Sequence, residues 1–385
     1  GTHRLTPAAP GQDLILTIDQ SLQYEVERVL IEEVDSARAK GGMAVVMDTY
    51  TGDVLALANV EGAVADVPAH SAPADSRNRV LTDAYQPGST AKVITIAGAL
   101  EEGLVNPNSV FHVADSLKVG DHVFSDNEKH APVDWTVTDI LAESSNVGTI
   151  TIAKSLGKTR LDSYLRTFGF GVKTEIGFPG EASGILLDPK RWDSTSIGTV
   201  PIGTAIGVTV LQMLNVYATI ANGGVWRQPR IVAATVDAEG VRTDMPTSAT
   251  RRVISTSTAR QLNDMLREVV KRGTGTRAVV PGYSIAGKTG TARKPLEGRR
   301  GYSNDYMASF VGFAPAERPR LAVAVVLDDP GTEIYGGVVA APGFARIMQA
   351  ALRLERVAPS TITSDLPLKK ATATLTRAAL PKRAT

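Results

Sequence analysis

The stretch GYSIAGKTGT at residues 282–291 constrains the fold strongly, because its letters fit two unrelated local structures. From Gly282 to Thr289 it matches G-x-x-x-x-G-K-[ST], the phosphate-binding P-loop, in which a glycine-rich turn opens a helix. The helix is essential there, because its N-terminal N–H groups and its dipole hold the phosphate. Residues 290–298 contain two glycines and a proline and show no apolar 3.6-residue period, which argues against a helix.

The same stretch fits an extended strand. Residues 283–286 and 289–292 suit a strand, and two further strand candidates follow at 306–313 and 321–327. Short loops join the three candidates, so we predict an antiparallel meander. On this interpretation Lys288 lies on a strand and needs partners from elsewhere in the chain.

Further patterns indicate an α/β fold of the α+β type. Residues 13–18 are predicted to form a strand, and Asp19 is predicted to cap a helix with an apolar stripe. Residues 43–58 form a hairpin pattern, whereas residues 60–84 are irregular. Helical patterns dominate from about 89 to 222. After them the sequence predicts a helix, then the meander, then a final helix. We therefore expect an antiparallel-sheet lobe flanked by helices, built from distant segments, with an inserted helical lobe.

Composition excludes several classes of function. The net charge of +1 argues against a nucleic-acid partner, since such proteins usually carry a strong basic excess. The chain has no cysteine, and its five histidines are scattered without metal-ligand spacing, so we expect no metal and no cofactor. No apolar run approaches 18 residues, so no membrane span is predicted.

Ser89 and Lys92 are the first candidates for catalysis. The segment 85–92 reads YQPGSTAK and enters a predicted helix, which places both side chains on one helix face. A serine hydroxyl becomes a good nucleophile only when a neighbour takes its proton. A lysine can do so when burial or a nearby positive charge lowers its pKa. Alone, this pattern is more often a helix cap with a solvated lysine.

Two further motifs favour the catalytic interpretation over the helix cap. Ser144 and Asn146 form a Ser-x-Asn pattern at a break between two predicted helices, although a simple helix cap explains such a pattern as well. On the predicted strand, Lys288 and Thr289 can bind a carboxylate through charge-assisted hydrogen bonds. Gly290 would leave room for a substrate beside the strand.

With its three motifs in the order Ser-x-x-Lys, Ser-x-Asn and Lys-Thr-Gly, the chain resembles the transpeptidase domain of class B penicillin-binding proteins. The resemblance covers roughly residues 13–355 and includes GFPGEASG at 177–184 and the segment 208–224. Val210 stands where the family often has proline, and the glycine-containing run before it lacks the family's frequent aromatic residue. These departures concern the subgroup and leave the penicillin-binding transpeptidase and serine β-lactamase-like fold unaffected.

The resemblance implies roles for individual residues. Ser89 would be the acylated nucleophile, Lys92 its general base, and Ser144 a proton relay to the leaving amine. Asn146 would bind an amide of the donor peptide. The substrate carboxylate would be held by Lys288, Thr289 and Thr291, and Gly290 would let the substrate lie against the strand. Backbone N–H groups of Ser89 and Thr291 would form the oxyanion hole.

The resemblance also implies a biological setting. The reaction would be peptidoglycan D,D-transpeptidation, in cell division or cell shape, on stem peptides that β-lactams mimic. The protein would face outward from the bacterial cell membrane through an N-terminal anchor absent from this chain, beside a membrane glycosyltransferase. We accordingly expect a linker at residues 1–12, the transpeptidase domain at 13–357 and a disordered tail at 358–385.

Three alternatives remain open at this point. A serine β-lactamase shares the motifs but needs a base for deacylation, for which Glu181 is a weak candidate. A β-lactam sensor domain would keep Ser89 and never turn over. The nucleotide-hydrolase interpretation of residues 282–289 is the third.

Overall fold

The structure is a computed structural model that describes residues 11–62, 77–296, 298 and 301–360. Within these residues the strands are β1 (Asp13–Leu16), β2 (Gly41–Asp48), β3 (Val54–Glu61), β4 (Val110–Val113), β5 (Ser116–Val119), β6 (His122–Ser125), β7 (Val133–Thr136), β8 (Val225–Arg227), β9 (Val232–Val236), β10 (Arg242–Asp244), β11 (Thr250–Arg252), β12 (Ala286–Pro295), β13 (Tyr302–Ala314) and β14 (Leu321–Asp328). The α-helices of the same ranges are α1 (Gln20–Ala37), α2 (Arg79–Thr82), α3 (Lys92–Glu101), α4 (Val137–Ala142), α5 (Asn146–Leu156), α6 (Lys158–Thr167), α7 (Ser196–Thr199), α8 (Val210–Ala221), α9 (Thr256–Arg272), α10 (Gly336–Val339) and α11 (Ala341–Leu354).

A five-stranded antiparallel sheet forms the centre of the molecule, in the order β12-β13-β14-β2-β3. The predicted meander corresponds to β12, β13 and β14, and the predicted hairpin to β2 and β3. Strand β14 pairs with β2, with Val45 opposite Ala324, so segments from opposite ends of the chain complete one sheet. The predicted α+β architecture is therefore confirmed. Strand β12 lies at the edge, and its outer side faces the segment Gly88–Ala91.

Both faces of this sheet are covered, because β2 and β14 are buried along their whole length. Side chains of a strand alternate between the two faces. Met43, Val45 and Met47 accordingly pack into one core with α8 and the helical lobe. Ala44 and Val46 pack into the other core with α1 and α11. The sheet is thus a rigid wall to which β12 is attached.

Helix α1 shows how the sequence determines a local element. The Asp19 carboxylate accepts a hydrogen bond from the Leu22 N–H at 2.7 Å, which caps the first turn as predicted. The buried side chains of the helix form one stripe, consisting of Leu22, Val26, Val29, Leu30, Val34 and Ala37. The helix ends where Arg38 adopts a left-handed conformation with φ 50°.

The inserted helical lobe is present, but the prediction that helices dominate residues 89–222 was incomplete. Strands β4 and β7 pair with each other, and so do β5 and β6, forming two small antiparallel sheets inside that range. Each strand has four residues and mixed burial, too short for a clear alternating pattern. The prediction of irregular structure at 60–84 was also inaccurate at its ends, because β3 continues to Glu61 and α2 is a short helix. Residues 63–76 lie outside the described residues.

Residues at the start of the predicted tail contact the domain. The Ser360 N–H donates to the Gly282 carbonyl oxygen at 3.0 Å, and the Ser360 hydroxyl donates to Glu317 at 2.9 Å. The boundary at residue 357 stays a prediction, and residues 361–385 and most of the predicted linker, residues 1–10, lie outside the described residues. No helix in the described ranges is both long enough and apolar enough to cross a membrane.

Candidate active site

Ser89 lies in a tight turn pressed against the edge strand. Residues Gly88–Ala91 form one turn of 3-10 helix, and α3 begins at Lys92. Gly88 has φ 55°, and a Cβ there would lie 3.1 Å from the Thr291 carbonyl oxygen. Glycine is therefore required both by the left-handed conformation and by the close approach of the turn to β12.

Two buried hydrogen bonds fix the shape of this turn. The Thr90 hydroxyl donates to the Pro87 carbonyl oxygen at 2.8 Å. The buried Tyr217 hydroxyl, on α8, donates to the Thr90 carbonyl oxygen at 2.9 Å. Because α8 packs against the central sheet, the turn that presents Ser89 is fixed to the rigid part of the molecule.

Gly290 serves this packing rather than an open space for substrate. A Cβ at position 290 would lie 2.4 Å from the Ser309 hydroxyl oxygen, 2.9 Å from the Pro87 carbonyl oxygen and 3.0 Å from a Thr90 methyl carbon. The volume beside Gly290 is therefore already filled by the Ser89 turn and by β13. The space expected for a substrate beside Gly290 is therefore occupied by protein atoms.

Lys92 and Ser144 meet although they are 52 residues apart. The Lys92 ammonium nitrogen lies 3.3 Å from the Ser144 hydroxyl oxygen and also donates to the Ser144 carbonyl oxygen. Ser144 adopts φ 63°, a left-handed conformation that is unfavourable for serine and common at functional sites. This conformation directs both oxygens of Ser144 towards Lys92, and the prediction that the first two motifs share a site fits this geometry.

The helix-cap interpretation applies to Ser145 and not to its neighbours. The Ser145 hydroxyl accepts from the Gly148 N–H at 2.9 Å and so caps α5. Asn146 is the first residue of α5, and its side-chain amide donates to the Ser125 carbonyl oxygen at 2.8 Å. The Ser-x-Asn turn is thus bonded to the segment that follows β6.

Lys288 lies on β12, which begins two residues before it, so the helix that a P-loop requires is not formed. Its ammonium nitrogen is 3.2 Å from both the carbonyl and the hydroxyl oxygen of Thr289, and 3.5 Å from the Thr274 hydroxyl oxygen. The two threonine hydroxyls are 2.7 Å apart. Thr274, in the loop after α9, was missed by sequence analysis because no motif includes it.

The two lysines are fully buried, and burial lowers the pKa of both. Burial lowers the pKa of Lys92 to about 7, although the nearby Asp126 carboxylate opposes the shift. The pKa of Lys288 is lowered well below its ordinary value by burial and then by repulsion from Lys92, while Glu143 acts in the opposite direction. Lys92 can therefore exist as a neutral amine near pH 7.

A cleft of about 430 Å³ opens in front of these residues. Ser89, Ser144, Thr289 and Thr291 line it, together with Thr274 and others. Of the other predicted site residues, Lys92 and Lys288 are buried behind the cleft wall, Gly290 packs under the Ser89 turn, and Asn146 lies at the start of α5. The structure therefore gathers the predicted residues around one cleft, but only some of them line its surface.

The backbone of Thr291 is oriented towards Ser89. In an antiparallel strand the N–H and C=O of one residue point to the same side. Because the Thr291 carbonyl oxygen faces Gly88, its N–H group also points away from β13 and towards the Ser89 turn. This orientation suits a donor directed at an oxygen bound next to Ser89.

Comparison with known proteins decides the family. A model of the penicillin-binding protein transpeptidase domain matches residues 42–349. The chain belongs to this family. Its relatives and structural neighbours identify it as the transpeptidase domain of a class B penicillin-binding protein.

Among the relatives of this transpeptidase domain is penicillin-binding protein PbpB of Mycolicibacterium smegmatis, 38% identical over 362 residues that cover 91% of this chain and 56% of the relative. The peptidoglycan D,D-transpeptidase FtsI of Escherichia coli is 36% identical, covering 93% of this chain and 59% of the relative. The chain thus spans slightly more than half the length of these relatives.

Solved structures of the family agree with the fold. Apo penicillin-binding protein 3 from Mycobacterium tuberculosis superimposes with a TM-score of 0.85 at 34% identity, covering 94% of this chain and 83% of that one. The same protein complexed with ampicillin gives a TM-score of 0.86 at 35% identity, covering 94% and 82% of the two chains. The predicted family and fold are confirmed.

Proposed function

We propose that this domain is a serine D,D-transpeptidase that cross-links peptidoglycan stem peptides and is acylated by β-lactams. The observation that carries the proposal is the buried amine of Lys92, which lies 3.3 Å from the Ser144 hydroxyl beside a cleft lined by Ser89. The names of the relatives support it, since FtsI of Escherichia coli is a peptidoglycan D,D-transpeptidase. Complexes of the Mycobacterium tuberculosis protein with aztreonam and ampicillin support the second part.

The acylation step uses residues that line the cleft or lie directly behind it. The Ser89 oxygen attacks the carbonyl carbon of the penultimate D-alanine, and its proton passes to the neutral amine of Lys92. The negative charge that develops on the carbonyl oxygen is held by the N–H groups of Ser89 and Thr291. The carbon–nitrogen bond then breaks, and the proton reaches the departing D-alanine amine through the Ser144 hydroxyl.

The substrate carboxylate would bind at Thr289 and Thr291. Lys288 lies behind Thr289, where it orients the Thr289 and Thr274 hydroxyls. A bound carboxylate would favour protonation of Lys288, because an opposite charge stabilises the ammonium form. The positive charge on Lys288 would in turn disfavour protonation of Lys92. Substrate binding would thus help to keep the general base neutral.

The second half of the reaction restores Ser89. An amine of a neighbouring stem peptide attacks the acyl carbon, the ester bond to Ser89 breaks, and the amine proton passes through Ser144 and Lys92 to the departing Ser89 oxygen. Asn146 would bind an amide of the donor peptide after exchanging its present bond to Ser125.

The setting of the reaction is part of the same proposal. The relatives carry names of cell-wall enzymes, which supports action outside the cytoplasm. We place the domain on the outer face of the cell membrane, held by an N-terminal anchor and working beside a membrane glycosyltransferase. The boundaries proposed for the transpeptidase domain are residues 13–357.

The β-lactamase alternative finds no support at Glu181. This side chain is buried, and its carboxylate accepts hydrogen bonds from the Thr174 N–H at 2.6 Å and from the Thr174 hydroxyl at 2.5 Å. It is not among the described residues that line the Ser89 cleft. Glu181 therefore stabilises its own loop.

The test of the proposed function follows products by mass spectrometry. The domain is incubated with an acylated peptide ending in D-Ala-D-Ala and with a D-amino acid as acceptor. We expect release of D-alanine together with an exchanged or cross-linked peptide. Acylation by penicillin without any peptide product would instead indicate a sensor domain, and rapid hydrolysis of penicillin would indicate a β-lactamase.

A further inference from the structure

Asp126 lies at the centre of the contacts that hold the Ser-x-Asn turn. It follows β6 directly, and its side chain is only 6% exposed. One carboxylate oxygen accepts from the Ser145 hydroxyl at 2.7 Å. The other accepts from the Asn146 N–H and from the Val147 N–H at 3.0 Å. No sequence motif pointed to this residue.

These contacts make the carboxylate a cap for α5 that comes from outside the helix. The first N–H groups of a helix lack partners within the helix, and a negative charge there also interacts favourably with the helix dipole. Ser125, the preceding residue, accepts a hydrogen bond from the Asn146 side chain. Residues 125 and 126 therefore fix both the backbone and the side chain at the start of α5, directly after Ser144.

The same carboxylate acts on the site electrostatically. Its negative charge raises the pKa of Lys92 and so opposes the lowering caused by burial. Lys288 also interacts with Lys92, and Glu143 interacts with Lys288. His130 shares one oxygen of Asp126, with its ring nitrogen at 3.2 Å.

We propose that Asp126 is a positioning residue for acylation, which holds the Ser144–Asn146 turn over Lys92 and places a negative charge beside that lysine. This proposal rests on the proposed function, since it concerns the same acyl-transfer site. Asp126 does not react itself. It acts through the geometry of Ser144 and through the proton affinity of Lys92.

The test measures the rate of acylation by a fluorescent penicillin as a function of pH in Asp126→Asn. Asparagine keeps one acceptor oxygen for the N–H groups of α5 but loses the charge and the acceptor for the Ser145 hydroxyl. We expect the plateau rate to fall at least about ten-fold, since a charge-assisted contact is lost. We also expect the acid limb of the profile to move to lower pH, because the charge that raises the pKa of Lys92 is gone.

Two further variants separate geometry from charge. Ser145→Ala removes one bond to Asp126 and keeps the charge, so the rate should fall while the acid limb stays at the wild-type pH. Asp134→Asn is the matched control, because Asp134 is 71% exposed and outside the cleft. It should acylate within about two-fold of wild type, since surface ion pairs contribute little.

Each outcome bears on the proposal. A wild-type rate and profile in Asp126→Asn would overturn it, and a lower rate with an unmoved acid limb would reduce Asp126 to a structural cap. If Asp126→Asn does not fold, Asp126→Glu keeps the charge but displaces it, and a wild-type rate there would contradict positioning. A wild-type domain that penicillin does not acylate would instead contradict the proposed function itself.

Discussion

The amine nitrogen of Lys92 lies 3.3 Å from the hydroxyl oxygen of Ser144, which is 52 residues away along the chain. Lys92 comes from the helix that follows Ser89, whereas Ser144 comes from the turn before α5. Both residues are buried, so on the proposed mechanism a proton taken from Ser89 passes between closely spaced groups of the first two motifs.

The first prediction concerns this lysine and pH. Burial lowers the pKa of Lys92 to about 7, and only the neutral amine can accept a proton. The acylation rate should therefore rise with pH through about 7 and level off above it. Lys92→Arg should abolish acylation, because a guanidinium stays protonated. Stopped-flow measurement of a near-normal rate in Lys92→Arg would remove this residue from the mechanism.

The second prediction concerns the nucleophile. Ser89 lines the cleft, and its turn packs against the Thr291 backbone, so we expect it to be the only residue acylated by a penicillin. Intact-mass spectrometry should show one adduct on the wild-type domain and none on Ser89→Ala. Persistence of the adduct in the variant would assign acylation to another residue.

The third prediction concerns Gly290. An alanine Cβ would lie 2.4 Å from the Ser309 hydroxyl oxygen and 2.9 Å from the Pro87 carbonyl oxygen, so the Ser89 turn must move away from β12. Gly290→Ala should lower both the acylation rate, about ten-fold or more, and the melting temperature, since overpacking typically costs about 1–3 kcal/mol.

Gly11→Ala is the matched control for that substitution. Its Cβ would meet no atom within 4 Å, so neither the rate nor the melting temperature should change. If Gly290→Ala were acylated at the wild-type rate, the close packing of the turn against β12 would not matter for the reaction.

The sequence predicted those parts of the fold that depend on local chemistry. The capping residue Asp19, the stripe of α1 and the strands of the meander all follow from spacing and residue type, and the structure has them. Short strands such as β4 and β5 were missed, because four residues of mixed burial give no period and depend on a partner strand.

In the candidate site, too, residues that belong to local sequence patterns were predicted and residues that depend on the fold were missed. Ser89, Ser144 and Lys288 belong to motifs, so sequence analysis finds them. Asp126 and Thr274 act through contacts that only the folded chain creates. The Asp126 carboxylate accepts a hydrogen bond from the Ser145 hydroxyl, and the Thr274 hydroxyl is hydrogen-bonded to the Thr289 hydroxyl. An aspartate after a four-residue strand has no distinguishing pattern of its own.

The last prediction returns to GYSIAGKTGT. Lys288 orients the hydroxyls of Thr289 and Thr274, so Lys288→Ala should slow penicillin acylation about 10-fold to 150-fold, the effect of losing a charge-assisted contact. Gly282 has φ 82° and makes no contact with the cleft. Gly282→Ala should therefore cost about 1–2 kcal/mol of stability, because alanine disfavours this conformation, and leave acylation within a few-fold of wild type.

Adding nucleotide to the same two variants tests the alternative hypothesis, that residues 282–289 form a P-loop. A P-loop needs Gly282 for the approach of phosphate and a helix after Lys288, whereas β12 runs through that position as a strand. Mg²⁺-ATP should therefore not change the melting temperature of the wild type or of either variant, since a ligand that does not bind cannot shift the folding equilibrium. Thermal unfolding measured with and without Mg²⁺-ATP checks this. A rise in melting temperature that depends on Mg²⁺-ATP and disappears in Lys288→Ala would contradict the proposed role of Lys288 behind the carboxylate site and restore a phosphate site.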